Sequence, residues 1–337
     1  MFKKLLSITL TVLTVFLIGL NSKNISAEAS AQSSIAVELS TGKVLFENNS
    51  SVKLPMASTT KIMTAIIIIE DCNLNDVITV PDEAIGVEGS SIYLKRQEQI
   101  SIKDLLYGLM LRSGNDSATA LAIYHSGSVA KFAEAMNERA KAIGTENTNF
   151  TNPSGLPDEN HFTTANDLCK IACYAMKNVA FKEIVGTVNY NGEYRSFVNK
   201  NKMLKKYDGA NGIKTGYTVR AGRCLVSSAN RNGMDVVCVV LNCPDMYEFS
   251  SDILDRCFNE YKLVSIDKNK IFMSDNVLCK LNKNVNKVLK CTNNLQLKIK
   301  SINNNRKIKI GDYVADLEIY DENNLLFTEK LYSIINR

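Results

Sequence analysis

Residues 55–70, PMASTTKIMTAIIIIE, constrain the fold more than any other stretch of the chain. Pro55 suits the start of a helix, where its missing N–H is no loss. From Ala57 the sequence predicts a helix, and Ile66, Ile67, Ile68 and Ile69 make it apolar around its circumference. Such a helix is normally buried, so the chain has to supply elements that cover it. Ser58 and Lys61 interrupt the first turn and share one face. A lysine on a buried helix must be paired or give up its charge. A neutral amine beside a hydroxyl is a general base beside a nucleophile. Ser58 also lies at the helix N-terminus, where free N–H groups and the dipole stabilise developing negative charge.

Ser-x-x-Lys is a cheap pattern. It recurs at Ser40/Lys43, Ser50/Lys53, Ser128/Lys131 and Ser265/Lys268, all in turn-like or polar settings. Only Ser58 is followed at once by a buried-type helix. A catalytic reading of it needs partners elsewhere in the chain.

Residues 1–29 read as a secretory signal peptide. Lys3 and Lys4 precede an apolar run from Leu5 to Leu20, and Ala27-Glu28-Ala29 is an A-x-A cleavage site. The protein is therefore expected to be exported and to work outside the cytoplasmic membrane, with membrane contact only if that segment is retained. The rest divides into a large domain over 30–263 and a small one over 264–337. With 45% hydrophobic and 22% charged residues the chain can build an ordinary core. Its formal charge of +5 is spread out, which excludes a nucleic-acid stripe. Nine cysteines cannot all pair, and none form C-x-x-C. Buried thiols are the favoured reading; a Cys224–Cys238 pair on neighbouring strands is the alternative.

Ser34 to Glu47 alternates apolar and polar residues around Ser40-Thr41-Gly42, which predicts a β-hairpin. Residues 74–165 read as mostly helical, with helices at Ile102 to Leu111, Asp116 to Tyr124 and Val129 to Ile143. Arg112-Ser113-Gly114-Asn115-Asp116 between the first two can push side chains into a cleft, or can be a plain helix–helix turn capped by Asp116. A turn-rich loop at 152–157 precedes a capped helix from Thr163 to Lys177. Leu225 to Asn230 and Val236 to Leu241 read as strands joined through Asn232-Gly233, and Phe249 to Tyr261 as a closing helix. Lys214-Thr215-Gly216 is expected on an inner strand. There Gly216 would let a ligand backbone approach, and Lys214 and Thr215 would offer a cation and a hydroxyl to a carboxylate.

Each signal is weak alone, but Ser58-x-x-Lys61, Ser113-x-Asn115 and Lys214-Thr215-Gly216 occur in that order. This is the motif set of β-lactamases and penicillin-binding proteins. ASTTKIMTA, LLYGLMLRSGNDSA, NPSGLPDENHFTTANDL and GIKTGYTVRAGRCLVSSA resemble the low-molecular-mass D-alanyl-D-alanine carboxypeptidases, peptidase family S11. The resemblance runs from about residue 32 to 262 and more loosely beyond. It implies an α+β fold: a β-lactamase/transpeptidase-like domain, with an antiparallel sheet flanked by helices and a helical subdomain, plus a small β-rich C-terminal domain. It also implies removal of the terminal D-alanine from peptidoglycan stem pentapeptides through a Ser58 acyl-enzyme. Lys61 would be the base and Ser113 a proton relay. Asn115, Lys214, Thr215, Gly216 and Tyr217 would bind substrate, with the N–H groups of Ser58 and Tyr217 as the oxyanion hole. β-Lactams would acylate Ser58, and no metal or cofactor is implied. A D,D-endopeptidase and a non-catalytic β-lactam sensor are the alternatives.

Rivals fare poorly. Two histidines, His125 and His161, and no G-x-S-x-G argue against a Ser-His-Asp hydrolase. His161 reads as structural. No H-E-x-x-H points to zinc. The region of the glutamate that a class A β-lactamase needs is occupied by Asn152-Pro153-Ser154-Gly155. Three departures from the family stand out. Ser154 replaces a frequent histidine. Residues 242–251 lack a common arginine, for which Arg220, Arg223 or Arg256 could substitute. The family's frequent C-terminal amphipathic helix is not found before Arg337.

Overall fold

The computed structural model describes residues 31–291, 295–302 and 307–337; the expected signal peptide lies outside the described residues. Strands β1 (Ser33–Glu38) and β2 (Val44–Asn48) form the expected hairpin. All six residues of β1 are buried, in place of the expected alternation. The reason is position: β1 lies inside a sheet that is covered on both faces. A 3-10 turn, Ala57–Thr60, leads into helix α1 (Lys61–Asp71), which is buried from Lys61 to Ile68.

The next region is less uniformly helical than its sequence suggests. Strands β3 (Val77–Thr79) and β4 (Gln99–Ser101) pair first. Helix α2 (Ile102–Tyr107) then widens into a π-helical turn, Gly108–Arg112, where one unbroken helix is expected. Helices α3 (Asn115–Ser126) and α4 (Val129–Ile143) follow, the latter ended by left-handed Gly144. Gly114, not Asp116, is the N-cap of α3. The Asp116 carboxylate instead accepts the N–H groups of Ile92 and Leu94.

Helix α5 (Ala165–Met176) starts where the Thr164 side chain accepts from the Asp167 N–H. Helix α6 (Val179–Gly186) and the β5 (Asn189–Asn191)/β6 (Ser196–Val198) ribbon lead to the last sheet strands. These are β7 (Ala210–Thr218), β8 (Gly222–Arg231) and β9 (Met234–Leu241), closed by α7 (Met246–Glu260). Asn232 and Gly233 both have positive φ, 52° and 80°, as a two-residue hairpin turn requires. The sheet order is β2-β1-β9-β8-β7. Strand β7, with Lys214-Thr215-Gly216, is thus an edge strand and not the inner strand expected. Sheet order is set by which strands meet across the chain, which local sequence does not encode.

One core packs α1 against a face of this sheet, through Ile62, Ile66, Val226 and Val239; a second lies under α7 with Leu225, Val236 and Leu254. Cys224 belongs to the first and Cys238 to the second, so they point to opposite faces and are not partners. All nine cysteines are free thiols, six of them buried. The C-terminal part is β-rich. It comprises β10 (Tyr261–Ile266), β11 (Phe272–Ser274), β12 (Val277–Lys280), β13 (Val285–Lys290), β14 (Leu295–Ser301), β15 (Tyr313–Asp321) and β16 (Asn324–Ser333). Leu317, Ile319 and Leu331 lie in a third core there. Among the described residues no helix is long and apolar enough to cross a membrane.

Candidate active site

The 3-10 turn before α1 places Ser58 half-exposed at its surface and Lys61 in the interior. Ala57 has φ 49°, a left-handed backbone that a non-glycine residue rarely adopts. Ser113 is also left-handed, with φ 66°, at the exit of the π turn. Both serines therefore belong to tight corners, and neither lies within a regular helix.

Lys61 Nζ is 3.0 Å from Ser58 Oγ, 2.7 Å from Asn115 Oδ1 and 2.5 Å from the Ser154 carbonyl oxygen. Burial lowers the Lys61 pKa well below that of a free lysine, and the nearby Lys214 charge lowers it further; Asp116 opposes both. An amine with two hydrogens can donate both to Asn115 Oδ1 and the Ser154 carbonyl. Its lone pair then faces the Ser58 hydroxyl.

Asn115 is fixed from its other side. Its Nδ2 donates to the Glu88 carbonyl at 2.6 Å and its backbone N–H to the Ser90 carbonyl at 2.7 Å. Together with the Asp116 bonds, this straps residues 88–94 onto the start of α3. The Ser154 carbonyl is fixed by its loop. Asn152 Oδ1 accepts the N–H groups of Ser154, Gly155 and Leu156, and Thr64 Oγ1 donates to the Pro153 carbonyl at 2.6 Å. Gly155, with φ 85°, passes so close to the Ser58 turn that a Cβ there would lie 1.9 Å from the Ala57 oxygen. Only glycine fits.

His161 braces the same turn. Its Nδ1 accepts the Thr151 N–H at 3.1 Å, so the proton sits on Nε2, which donates to Thr60 Oγ1 at 2.7 Å. Thr60 Oγ1 donates in turn to the Ala57 carbonyl. Burial pushes the His161 pKa down from 6.5 to about 4, which keeps the ring neutral.

Strand β7 borders the Ser58 turn on the remaining side. A Cβ on Gly216 would sit 3.1 Å from the Ser58 nitrogen, so the strand edge rests directly on the Ser58 turn. Lys214 is buried, with Nζ 2.8 Å from the Thr215 carbonyl. Burial and then the charge of Lys200 push its pKa from 10.5 down to about 7. Thr215 is half-buried and Tyr217 64% exposed.

Ser58, Lys61 and Asn115 thus share one hydrogen-bonded cluster, with Gly216 against it and Lys214 close enough to act on Lys61 electrostatically. Ser113 is buried two residues before Asn115. Of the candidate arginines, Arg256 bonds Glu260 and lies over Phe46. Arg220 lies beside the Ser58 turn, next to Ala57 and Leu156. Sequence reasoning missed Lys200, which carries no motif, and the Ser154 carbonyl, which carries no letter.

The D-alanyl-D-alanine carboxypeptidase family, peptidase S11, matches residues 21–245. The chain belongs to that family. D-alanyl-D-alanine carboxypeptidase DacF of Bacillus subtilis is 35% identical over 245 residues, which cover 69% of this chain and 63% of that protein. A D-alanyl-D-alanine endopeptidase of Pseudomonas aeruginosa is 30% identical over 240 residues, 67% of this chain and 75% of the relative. The crystal structure of D-alanyl-D-alanine carboxypeptidase DacD from Francisella tularensis superposes with a TM-score of 0.68 at 27% identity, covering 91% of this chain and 93% of the other. The S11 assignment extends over the Ser58, Ser113 and Lys214 motifs alike.

Proposed function

We propose that this S11 protein is a serine-type D-alanyl-D-alanine carboxypeptidase that acts on peptidoglycan stem pentapeptides. The observation that carries the reading is the buried Lys61 amine, its pKa lowered, 3.0 Å from Ser58 Oγ. Ser58 Oγ attacks the carbonyl between the two terminal D-alanines, and its proton passes to Lys61. The N–H groups of Ser58 and Tyr217 hold the oxyanion. Ser113 hands a proton to the leaving D-alanine amine. Asn115 positions Lys61 and the substrate amide, while Lys214 and Thr215 receive the terminal carboxylate beside Gly216. Water then hydrolyses the acyl-enzyme and leaves a tetrapeptide. A β-lactam takes the place of the D-Ala-D-Ala unit and stays on Ser58. On this reading the protein is exported with loss of residues 1–29, residues 30–263 carry the chemistry, and 264–337 form the small domain.

A second reading is a D,D-endopeptidase that cuts cross-links; the name of the Pseudomonas relative favours it. Incubation with a pentapeptide muropeptide and a cross-linked dimer, read by mass spectrometry, separates the two. Loss of one alanine residue from the pentapeptide, with the dimer intact, is expected. Dimer cleavage with the pentapeptide untouched would reverse the assignment.

A further inference from the structure

Helix α5 carries two cysteines that the S11 chemistry does not use. Cys169 and Cys173 lie one turn apart, with Sγ atoms 3.9 Å from each other. Cys169 is buried and Cys173 is partly exposed. Both line a cavity of about 320 Å³ between α5 and the β1–β2 turn, with Thr41, Asn166, Lys170 and Lys177 also on its wall. The cavity is remote from Ser58. Val37 on its wall is level, through Val237 and Ser228, with Gly212, at the opposite end of the sheet from Gly216 and three strands away.

The spacing decides what the pair can do. Cβ atoms four residues apart on a helix are about 5–6 Å from each other. A disulfide needs about 3.5–4.5 Å, so closing one would distort α5. A bridging ion needs more room. Two metal–sulfur bonds of about 2.3 Å put the sulfurs up to about 4.6 Å apart, against 3.9 Å here, and both cysteines border the open space of the cavity. Zinc in a structural site wants four ligands, and among the described residues no group of three His, Cys, Asp or Glu could hold a metal. Two sulfurs alone suit a soft, low-coordinate cation.

We propose that Cys169 and Cys173 form a two-coordinate site for monovalent copper. Each thiol releases its proton to solvent on binding, and two thiolates with one monovalent cation leave a single net negative charge. Lys170 and Lys177 on the cavity wall balance it. Lys170 Nζ also donates to the Gly144 carbonyl at 2.9 Å and to Asp167 Oδ1 at 3.4 Å, so it shares its charge with Asp167 and Lys177 carries more of the balance. The ion stabilises α5 and leaves the Ser58 cleft alone.

The test is an anaerobic titration of the reduced protein with copper(I) against a chromophoric copper(I) chelator. One equivalent should be retained, with a thiolate-to-copper charge-transfer band and a raised thermal midpoint. Cys169→Ser and Cys173→Ser should each weaken binding by more than the roughly 10–100-fold lost with a merely supporting partner. Cys72→Ser and Cys291→Ser, at the other accessible thiols, should leave it unchanged. Penicillin acylation, measured on every variant, reports folding independently of copper. Copper retained by a folded Cys169→Ser/Cys173→Ser double variant would overturn the proposal, as would a wild-type protein that loses all copper to the chelator.

Discussion

The start of α1 and the edge strand β7 each bury a lysine at the same cleft, and they hold it differently. Lys61 Nζ has three oxygen neighbours, from Ser58, Asn115 and Ser154, on three separate segments. Lys214 Nζ bonds the carbonyl of the next residue in its own strand. Both side chains are almost wholly withdrawn from water, and burial lowers both pKa values. One amine is therefore aimed and the other is only placed. An aimed amine can move a proton along a fixed line, whereas a placed one contributes charge or its absence to whatever lies nearby.

That contrast is most exposed by exchanging each lysine for arginine, which keeps charge and cannot deprotonate in the working range. In Lys61→Arg the rate of acylation by penicillin should fall by about 10²–10⁴-fold, the range that general-base catalysis supplies. In Lys214→Arg it should stay within about tenfold, roughly 1.4 kcal/mol of barrier. Stopped-flow acylation rates of the two variants check this. Equal losses would erase the distinction between them.

Stability against pH sharpens the comparison from the folding side. The Lys214 pKa is about 7 folded and 10.5 unfolded. Between those values the unfolded chain binds more protons, so stability rises with pH, by at most about 1.4 kcal/mol per pH unit. Below about pH 7 the cost of a buried charge is felt in full. Lys214→Met should remove this rise. Urea unfolding near pH 7 and near pH 10 should therefore show the variant gaining most on wild type at the lower pH. His161 works in the acid range. Its pKa falls from 6.5 unfolded to about 4 folded, so the stability it contributes is complete above 6.5 and lost as pH falls toward 4. His161→Gln should flatten the acid limb of the stability profile, with a smaller total effect.

How far this site could be read beforehand follows from what kind of fact each part is. Ser58 and Lys61 are legible because a three-residue spacing across one tight turn is local, even though Ser58 sits in a 3-10 turn and Lys61 begins the helix, and the isoleucine run announces burial. Lys214-Thr215-Gly216 was legible as a motif but misplaced in the sheet, since the edge position of β7 depends on strand order. The same limit hid the faces of Cys224 and Cys238. The hydrogen bonds of Asn115 and Asp116 depend on residues 88–94, a segment with no periodic signal. In the sequence Gly155 is one residue of a turn-rich loop; its need for φ 85° and a bare Cα comes from the Ala57 carbonyl beyond the loop.

The smallest expected effect lies between the two regions. Asp116 raises the Lys61 pKa against burial and Lys214. Asp116→Asn removes that charge while an amide oxygen can still accept N–H groups of residues 92–94. The acid limb of the acylation pH profile should move to lower pH, by less than about one unit. A shift to higher pH would show that Asp116 acts on Lys61 through structure and not through charge.

The central claim is that Ser58 is the nucleophile that Lys61 serves. Intact-protein mass spectrometry after incubation with a penicillin, followed by peptide mapping, tests it directly. The expected result is a single adduct on the peptide that contains Ser58, absent from Ser58→Ala. An adduct that persists in Ser58→Ala, or that maps to Ser113 or Ser40, would contradict the account.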